Sequence, residues 1–479
     1  MRISAQDRLR TIANSMQSSE APSGSSVREL RDWIVDNAPV PNETLAFLIL
    51  AVLYSRIPRT DLVVSFTRGW RLEGLRPLLD RHLTTSRGVR RRSSLPIRVE
   101  SGLVIDVTDT SRSRFTSGIQ RVARETLSRW VTARDFTLVA WDLRGDVLTT
   151  LSSEEEERTL LRAPARSHPR EFVVPFHATF VLPEISVQSE RTARLLSIAL
   201  FSGGRSMAIG FDCIPVTMAE TTGVGMPGAF SKYLSTLARF DVVAPISSAA
   251  GQEYRGWKRM LSGAGLTGPV IHEIALPFVA SSTARVTVDE TRTQLGLVDT
   301  SVVLAVGSRE PRKNHLNLLH AAELAWRDGH EFALVLVGGN AWDTELFDEL
   351  VARLRRKGRR ILTLHGVADD VVWDLYKMAC FSVFCSLNEG FGLPIAESLS
   401  SGTPVITSNF GSMRELGEGH GAVLVDPHNV EQMAAAMTSL LSNPQLVGEL
   451  IALTGDLPAA SWDTYADQLW ALTADETRG

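Results

Sequence analysis

From Leu103 onward, short runs of β-branched and aliphatic residues alternate with amphipathic helical stretches. This alternation restricts the chain to sheets of mostly parallel strands covered by helices, an α/β fold. Strands are expected at 103–107, 137–141, 172–174, 207–211, 242–246 and 270–274, with helices near 119–130, 191–201 and 228–238. A second unit begins near Ser301, with strands at 302–306, 333–337, 361–364, 381–385, 405–407 and 422–425 and helices between them. At 479 residues the chain is long enough for two or three cores of ordinary domain size, and the junction of the two units is expected near 281–291. Neither unit carries a Gly-x-Gly-x-x-Gly fingerprint at the turn after its first strand, so a dehydrogenase reading has little support.

The most informative stretch is Ser386-Leu-Asn-Glu389-Gly390-Phe391-Gly392-Leu393-Pro394-Ile-Ala-Glu397-Ser398. Proline suits a first helical turn and Gly402 is a natural stop, so a short helix is expected over 394–401. The amides of Gly392 and Leu393 then stand at a positive helix end, which favours anions and phosphate above all. Glu389, in the preceding loop, is close enough to touch whatever such a phosphate carries.

Upstream, Ala305-Val306-Gly307-Ser308-Arg309-Glu310-Pro311-Arg312-Lys313-Asn314 reads as a strand, a basic turn and the start of a helix. Next come Leu334-Val335-Leu336-Val337-Gly338-Gly339-Asn340 and His365-Gly366-Val367-Ala368-Asp369-Asp370, each at a strand end. Thr116-Ser117-Gly118-Ile119-Gln120-Arg121-Val122 opens the first long helix of the N-terminal unit. Each segment alone has a plain structural reading. Glu397 would favour a first helical turn anyway, Arg312 and Lys313 could form a solvated turn, and strand-to-helix turns often need glycine. What raises them together is position, because all fall at the carboxyl ends of expected parallel strands, where doubly wound sheets bind ligands.

The two glutamates with seven residues between them, taken with the other segments in this order, resemble the retaining family-4 glycosyltransferases. The likeness covers roughly residues 100 to 475. It implies the GT-B fold: two Rossmann-like domains facing across a cleft, here with an N-terminal helical extension. The implied division is 1–98 for the extension and basic linker, 99–285 for the acceptor domain, 286–455 for the donor domain, and 456–479 for a helix crossing back to the N-domain. The implied chemistry is sugar transfer from a nucleotide-diphosphate donor to an acceptor hydroxyl with retention of configuration, in glycan or glycoconjugate biosynthesis, without metal or other cofactor.

Residue by residue, the resemblance makes Lys313 and Arg312 the clamp on the departing diphosphate, with Arg309 a rival for the arginine role that the sequence does not decide. Glu389 would orient the transferred sugar and Glu397 would take the ribose hydroxyls. Gly390, Phe391, Gly392 and Leu393 would form the phosphate turn, with Gly338 in the glycine loop. Val367 would meet the base through its backbone. Gly118 and Arg121 would face the sugar from the N-domain. Phe211-Asp212-Cys213-Ile214-Pro215 stands where many relatives carry His-Asp or Tyr-Asp, so Asp212 is a candidate for an acceptor hydroxyl while the histidine is absent. Asp106, Asp109 and Arg114 are further candidates for the acceptor side. Two other readings stay open: a glycoside hydrolase using Glu389 and Glu397 as its carboxylates, and a non-catalytic member whose helical N-terminus docks partners.

Composition fits a globular chain, with 44% hydrophobic and 22% charged residues. The longest apolar run, Leu45 to Tyr54, is about half what a membrane-spanning helix needs. No signal peptide is expected, and three cysteines in apolar settings (Cys213, Cys380, Cys385) fit neither a disulfide framework nor a zinc site, so the cytoplasm is the expected compartment. Residues 1–100 hold 16 Arg, no Lys and 10 acids, against −4 for the whole chain. Five arginines between Arg87 and Arg98 read as an exposed linker, or as a basic collar for an anionic membrane face or acidic partner; no nucleic-acid partner is expected. Helical patterns near 27–37, 43–54 and 72–82 precede it, the first 25 residues are expected to be mobile, and 154–157 is expected to be a solvated helix start.

Overall fold

The computed structural model describes residues 3–16, 26–38, 40–89, 95–113, 117–160, 169–278, 288–339, 342, 344–458 and 460–474, without the side chains of 86–89. Arg114, Asn340, most of the arginine-rich stretch and most of the expected junction therefore lie outside the described residues.

Nine strands form the N-terminal sheet: β1 (Ile97–Glu100), β2 (Leu103–Asp106), β3 (Thr137–Trp141), β4 (Leu148–Thr150), β5 (Phe172–Pro175), β6 (Thr179–Leu182), β7 (Arg205–Gly210), β8 (Val242–Pro245) and β9 (Val270–Ile271). Their order is β1-β5-β4-β3-β2-β6-β7-β8-β9, and the β3–β4 and β4–β5 pairs are antiparallel while the rest are parallel. β1, β4 and β6 are absent from the sequence expectation. β4 has three residues and β1 and β6 four each, too short to show alternation, and β6 is continuously apolar like a stretch of buried helix.

The C-terminal sheet has six strands, β10 (Val302–Val306), β11 (Ala333–Val337), β12 (Ile361–Leu364), β13 (Phe381–Phe384), β14 (Val405–Ser408) and β15 (Ala422–Val425). All pair in parallel, in the order β12-β11-β10-β13-β14-β15. Here every expected strand is present within one residue, because the four inner strands are buried and all six are rich in Val, Ile, Leu, Phe and Ala. The order reverses between β10 and β13, so the loops leaving their carboxyl ends diverge and open a crevice.

Helices Ala5–Ser15, Val27–Asp36, Glu43–Tyr54, Thr60–Glu73 and Leu75–Val89 precede the first sheet. The first corrects the expectation of a mobile start for residues 3–16: Ser4 and Asp7 form a capping box, and Leu9 and Ile12 are wholly buried. The helix expected at 72–82 is two helices, because Gly74 breaks it at φ 82°. Helix Glu43–Tyr54 is buried on all sides from Ala46 to Leu53, so this apolar run is a core helix. It packs on β5 and helix Ser189–Phe201, sharing one continuous core with the sheet. Among the described residues no helix is long and apolar enough to cross a membrane.

The last helix, Trp462–Ala474, lies against helix Gly118–Ala133 of the N-domain. The Trp130 indole donates to the Ala466 carbonyl at 2.9 Å and Arg129 pairs with Asp463 at 2.6 Å. This helix therefore ties the segment after the C-terminal sheet back to the N-domain.

Candidate active site

Two loops at the β10/β13 switch point build the centre of the cleft. After β10 the chain makes a 3₁₀ turn, Pro311–Lys313, closed by Asn314 at φ 58°. The Asn314 amide donates to the carbonyls of Cys385 (3.1 Å) and Pro427 (2.7 Å), and the Leu387 N–H donates to the Arg312 carbonyl at 2.9 Å. The basic turn and the Glu389 loop are therefore sewn together by one backbone bond and by the Asn314 side chain.

On that frame Lys313 Nζ lies 2.6 Å and Arg312 Nη1 2.7 Å from the same Glu389 oxygen. Arg312 also donates to the Asn388 carbonyl and pairs with Glu310, each at 2.7 Å. Burial alone would push Glu389 up, but the two cations pull it down to about 2. Burial works against Arg312 as well, and Glu389 and Glu310 outweigh it and raise the guanidinium. All three side chains are at most 15% exposed, so the charges interact with little water between them.

The sign of this coupling gives a stability test. Glu389 is depressed from 4.5 to about 2, so the folded state binds its proton more weakly than the unfolded chain does. Its stabilisation is present above pH 4.5 and is lost as pH falls toward 2. Glu389→Gln is expected to melt below the wild type at neutral pH, with the gap in Tm narrowing through that acidic range; a constant gap would refute the coupling.

Helix Leu393–Ser400 starts at Gly392, whose φ of 105° requires glycine. Among the described residues the amides of Phe391, Gly392 and Leu393 have no protein acceptor, and they stand at the positive end of this helix beside Lys313 and Arg312. Phe391 itself is 5% exposed and edges onto Phe278, anchoring the turn from behind.

The N-domain supplies the opposite wall. Ser117 caps helix Gly118–Ala133, and a side chain at Gly118 would meet Leu393 at 3.3 Å, so this loop closes directly on the helix tip. Arg121 forms an ion pair with Glu397 across the cleft, and the Tyr376 hydroxyl donates to the other Glu397 oxygen at 3.1 Å. Burial raises Glu397 against the pull of Arg121. Asp212 is pushed up to about 6 by burial, opposed by Arg312 and reinforced by Glu253 and Glu389. Its carboxylate also accepts the Ile214 N–H at 3.1 Å.

The resulting cavity is about 530 Å³ and takes in Glu389, Lys313, Arg312, Gly390 to Leu393, Glu397, Gly118, Arg121 and Asp212. Three expected donor residues stand outside its wall. Arg309 hydrogen-bonds His365 at 2.8 Å and lies over the Phe347 ring, so of these two arginines Arg312 lines the cavity. Gly338 is a support: a Cβ there would fall 1.9 Å from the Gly307 carbonyl. Val367 packs half-buried on an apolar cluster with Leu297 and Trp373. Asp106 and Asp109, expected on the acceptor side, instead meet Arg191 away from the cleft wall, Asp106 buried and Asp109 at the exposed edge. Sequence reasoning passed over Glu253, Tyr376 and Asn388, since single polar residues inside helices or loops carry no spacing signal.

Residues 287–452 match the family of glycosyl transferases group 1. The serotype-specific mannosyltransferase WbdA of Escherichia coli is 23% identical over 333 residues, 66% of this chain and 40% of WbdA. The E. coli O-antigen chain mannosyltransferase B is 36% identical over 141 residues, 29% of this chain and 36% of that protein. The D-inositol 3-phosphate glycosyltransferase of Rhodococcus jostii is 35% identical over 189 residues, 37% of this chain and 41% of that protein. The chain thus spans about 40% of the length of the curated relatives it matches. Anabaena HepE, solved in complex with UDP-glucose, superposes with a TM-score of 0.55 at 16% identity over 78% of this chain and 99% of HepE. The sucrose-phosphate synthase of Thermosynechococcus elongatus gives 0.53 at 14% identity, over 78% of this chain and 98% of that one. Residues 287–452, which carry the cationic loop, thus form a glycosyl transferases group 1 domain, and the chain shares the two-lobed GT-B fold of these structures.

Proposed function

We propose that this protein transfers a sugar from a nucleotide-diphosphate donor to an acceptor hydroxyl with retention of anomeric configuration, in the assembly of a glycan or glycoconjugate. One observation carries the reading: Lys313, Arg312 and the unpaired amides of 391–393 converge on one cavity at the switch point of the C-terminal sheet. Two fixed cations and a helix tip are what a departing diphosphate needs, since its charge grows as the glycosidic bond breaks. Glu389 is held by both cations and is neither a free nucleophile nor a free base, so the proton of the acceptor hydroxyl passes to the leaving phosphate oxygen on the same face. The same pinning argues against the two-carboxylate hydrolase. Two relatives named as mannosyltransferases favour a hexosyl donor.

Lys313 and Arg312 already supply the countercharge to the diphosphate, which supports metal-independent transfer. Glu397 is assigned to the ribose hydroxyls, with Arg121 released from it on donor binding. We assign the cytoplasm as the compartment and the segment 87–98 as the contact to an anionic membrane face or acidic partner.

A thermal-shift panel of UDP- and GDP-sugars tests the reading. A ligand at about 100 times its Kd adds roughly 2.7 kcal/mol of stability. No shift with any member, or an equal shift in Lys313→Ala, would reject it. Gly338→Ala should displace the Gly307 backbone and weaken binding of the responding nucleotide sugar on the order of tenfold, measured by titration calorimetry.

A further inference from the structure

Asn388 is 6% exposed and stands between the diphosphate clamp and the N-domain. Its carbonyl accepts from Arg312 at 2.7 Å and its side-chain oxygen accepts the Glu389 N–H at 2.8 Å. Its amide nitrogen donates at 3.0 Å to Glu253, which lies on helix Ser248–Gly263 of the facing domain. The other Glu253 oxygen accepts the Cys213 N–H at 2.6 Å, one residue beyond Asp212. The polarity is fixed: only with the oxygen toward Glu389 and the nitrogen toward Glu253 are both partners satisfied. A single chain of hydrogen bonds therefore runs from the Asp212 loop through Glu253 and Asn388 to Arg312 and Glu389, and its Glu253–Asn388 link spans the two domains.

We propose that Glu253 and Asn388 are a positioning pair that aligns the diphosphate clamp with the acceptor loop when the two domains meet. The inference rests on the transferase reading above. Neither residue lines the cavity. Their effect is on the placement of Arg312, Glu389 and Asp212, and it falls on the chemical step, because donor can bind the C-terminal domain before closure.

The test exchanges donor and acceptor across the pair. In Glu253→Gln the amide oxygen still serves the Cys213 N–H, but the new NH₂ confronts that of Asn388. In Asn388→Asp two carboxylates face each other. When both substitutions are combined, the new amide at position 253 donates to the new carboxylate at position 388 while its oxygen keeps Cys213 satisfied, so the bridge re-forms with its polarity reversed. With GDP-mannose and UDP-glucose as probes and nucleotide release as the readout, each single variant should lose kcat on the order of 30-fold with donor KM within about threefold. The double variant should return to within about threefold of wild type, and melting curves should show all three folded. Single variants at wild-type kcat, or losses that the double variant does not recover, would overturn the pairing while leaving the transferase reading intact. A wild type that releases nucleotide from neither probe, and shifts with no member of the thermal panel, would remove both. Glu253→Gln is isosteric on a half-buried helix face, so it folds even if Asn388→Asp does not, and its kcat alone then decides.

Discussion

Lys313→Ala is expected to lower turnover by two to three orders of magnitude, equivalent to about 3–4 kcal/mol of barrier, as loss of a fixed donor at a developing anion does elsewhere. The ammonium is 12% exposed, 2.6 Å from Glu389, and 4.8 Å from the centre of the Phe384 ring. Its charge is held in place by Glu389 and the Phe384 ring, so on the proposed transferase reading little reorganises as a leaving diphosphate builds charge. Removing it also frees Glu389 from one of its two cations and leaves a buried carboxylate nearer the incoming phosphate. Both effects act in the same direction. The loss should appear in kcat more than in donor KM, since the amides of the helix tip and Arg312 remain to bind the ground state. Lys313→Arg should not restore the rate, because a planar fork cannot replace a compact ammonium wedged between Glu389 and an aromatic face. Steady-state kinetics with the donor found by thermal shift decides it, and a loss below about tenfold would remove Lys313 from the chemistry.

The C-terminal domain was readable because its inner strands are buried and its cleft loops are short and local. Glu389 to Glu397 lies on one loop and one helix, and Arg312-Lys313 on one turn, so linear spacing carries their geometry. Arg309 shows the limit of that logic. It is three residues from Arg312 and of the same type, yet His365 and Phe347, distant in sequence, draw it out of the cleft. The N-terminal half was less legible. β1, β4 and β6 have four residues or fewer, and the antiparallel β4 breaks the parallel pattern. Contacts across the cleft, Arg121 with Glu397 and Glu253 with Asn388, join residues more than a hundred positions apart, and no local pattern encodes them. Asp106 misled for the same reason: an acid at a strand's carboxyl end looks like a ligand until its partner is seen.

That partner supports the largest stability prediction. Arg191 is 2% exposed and its guanidinium serves three acids at once: Asp106 at 3.1 Å, Glu184 at 2.7 Å and Asp109 at 2.8 Å. Glu184 in turn accepts the N–H groups of Asp109 (2.8 Å) and Thr110 (2.9 Å), capping helix Thr108–Arg112, while Asp106 accepts the Trp141 indole N–H at 2.6 Å. These residues lie where the N-terminal sheet reverses order between β2 and β6, and they tie together the segments that leave those two strands. Arg191→Met keeps much of the volume but strands two fully buried carboxylates and a third at the edge. Breaking a buried pair by removing one partner costs about 3–5 kcal/mol, and with three acids on one cation the upper part of that range is expected. Arg191→Lys should recover only part of it, because an ammonium cannot present two forked edges to three carboxylates. The urea midpoint of the N-domain transition is the measurement, and an Arg191→Met shift corresponding to less than about 1 kcal/mol would mean that the acids take up protons or water in place of the arginine, so that the cluster is not what holds this end of the sheet together.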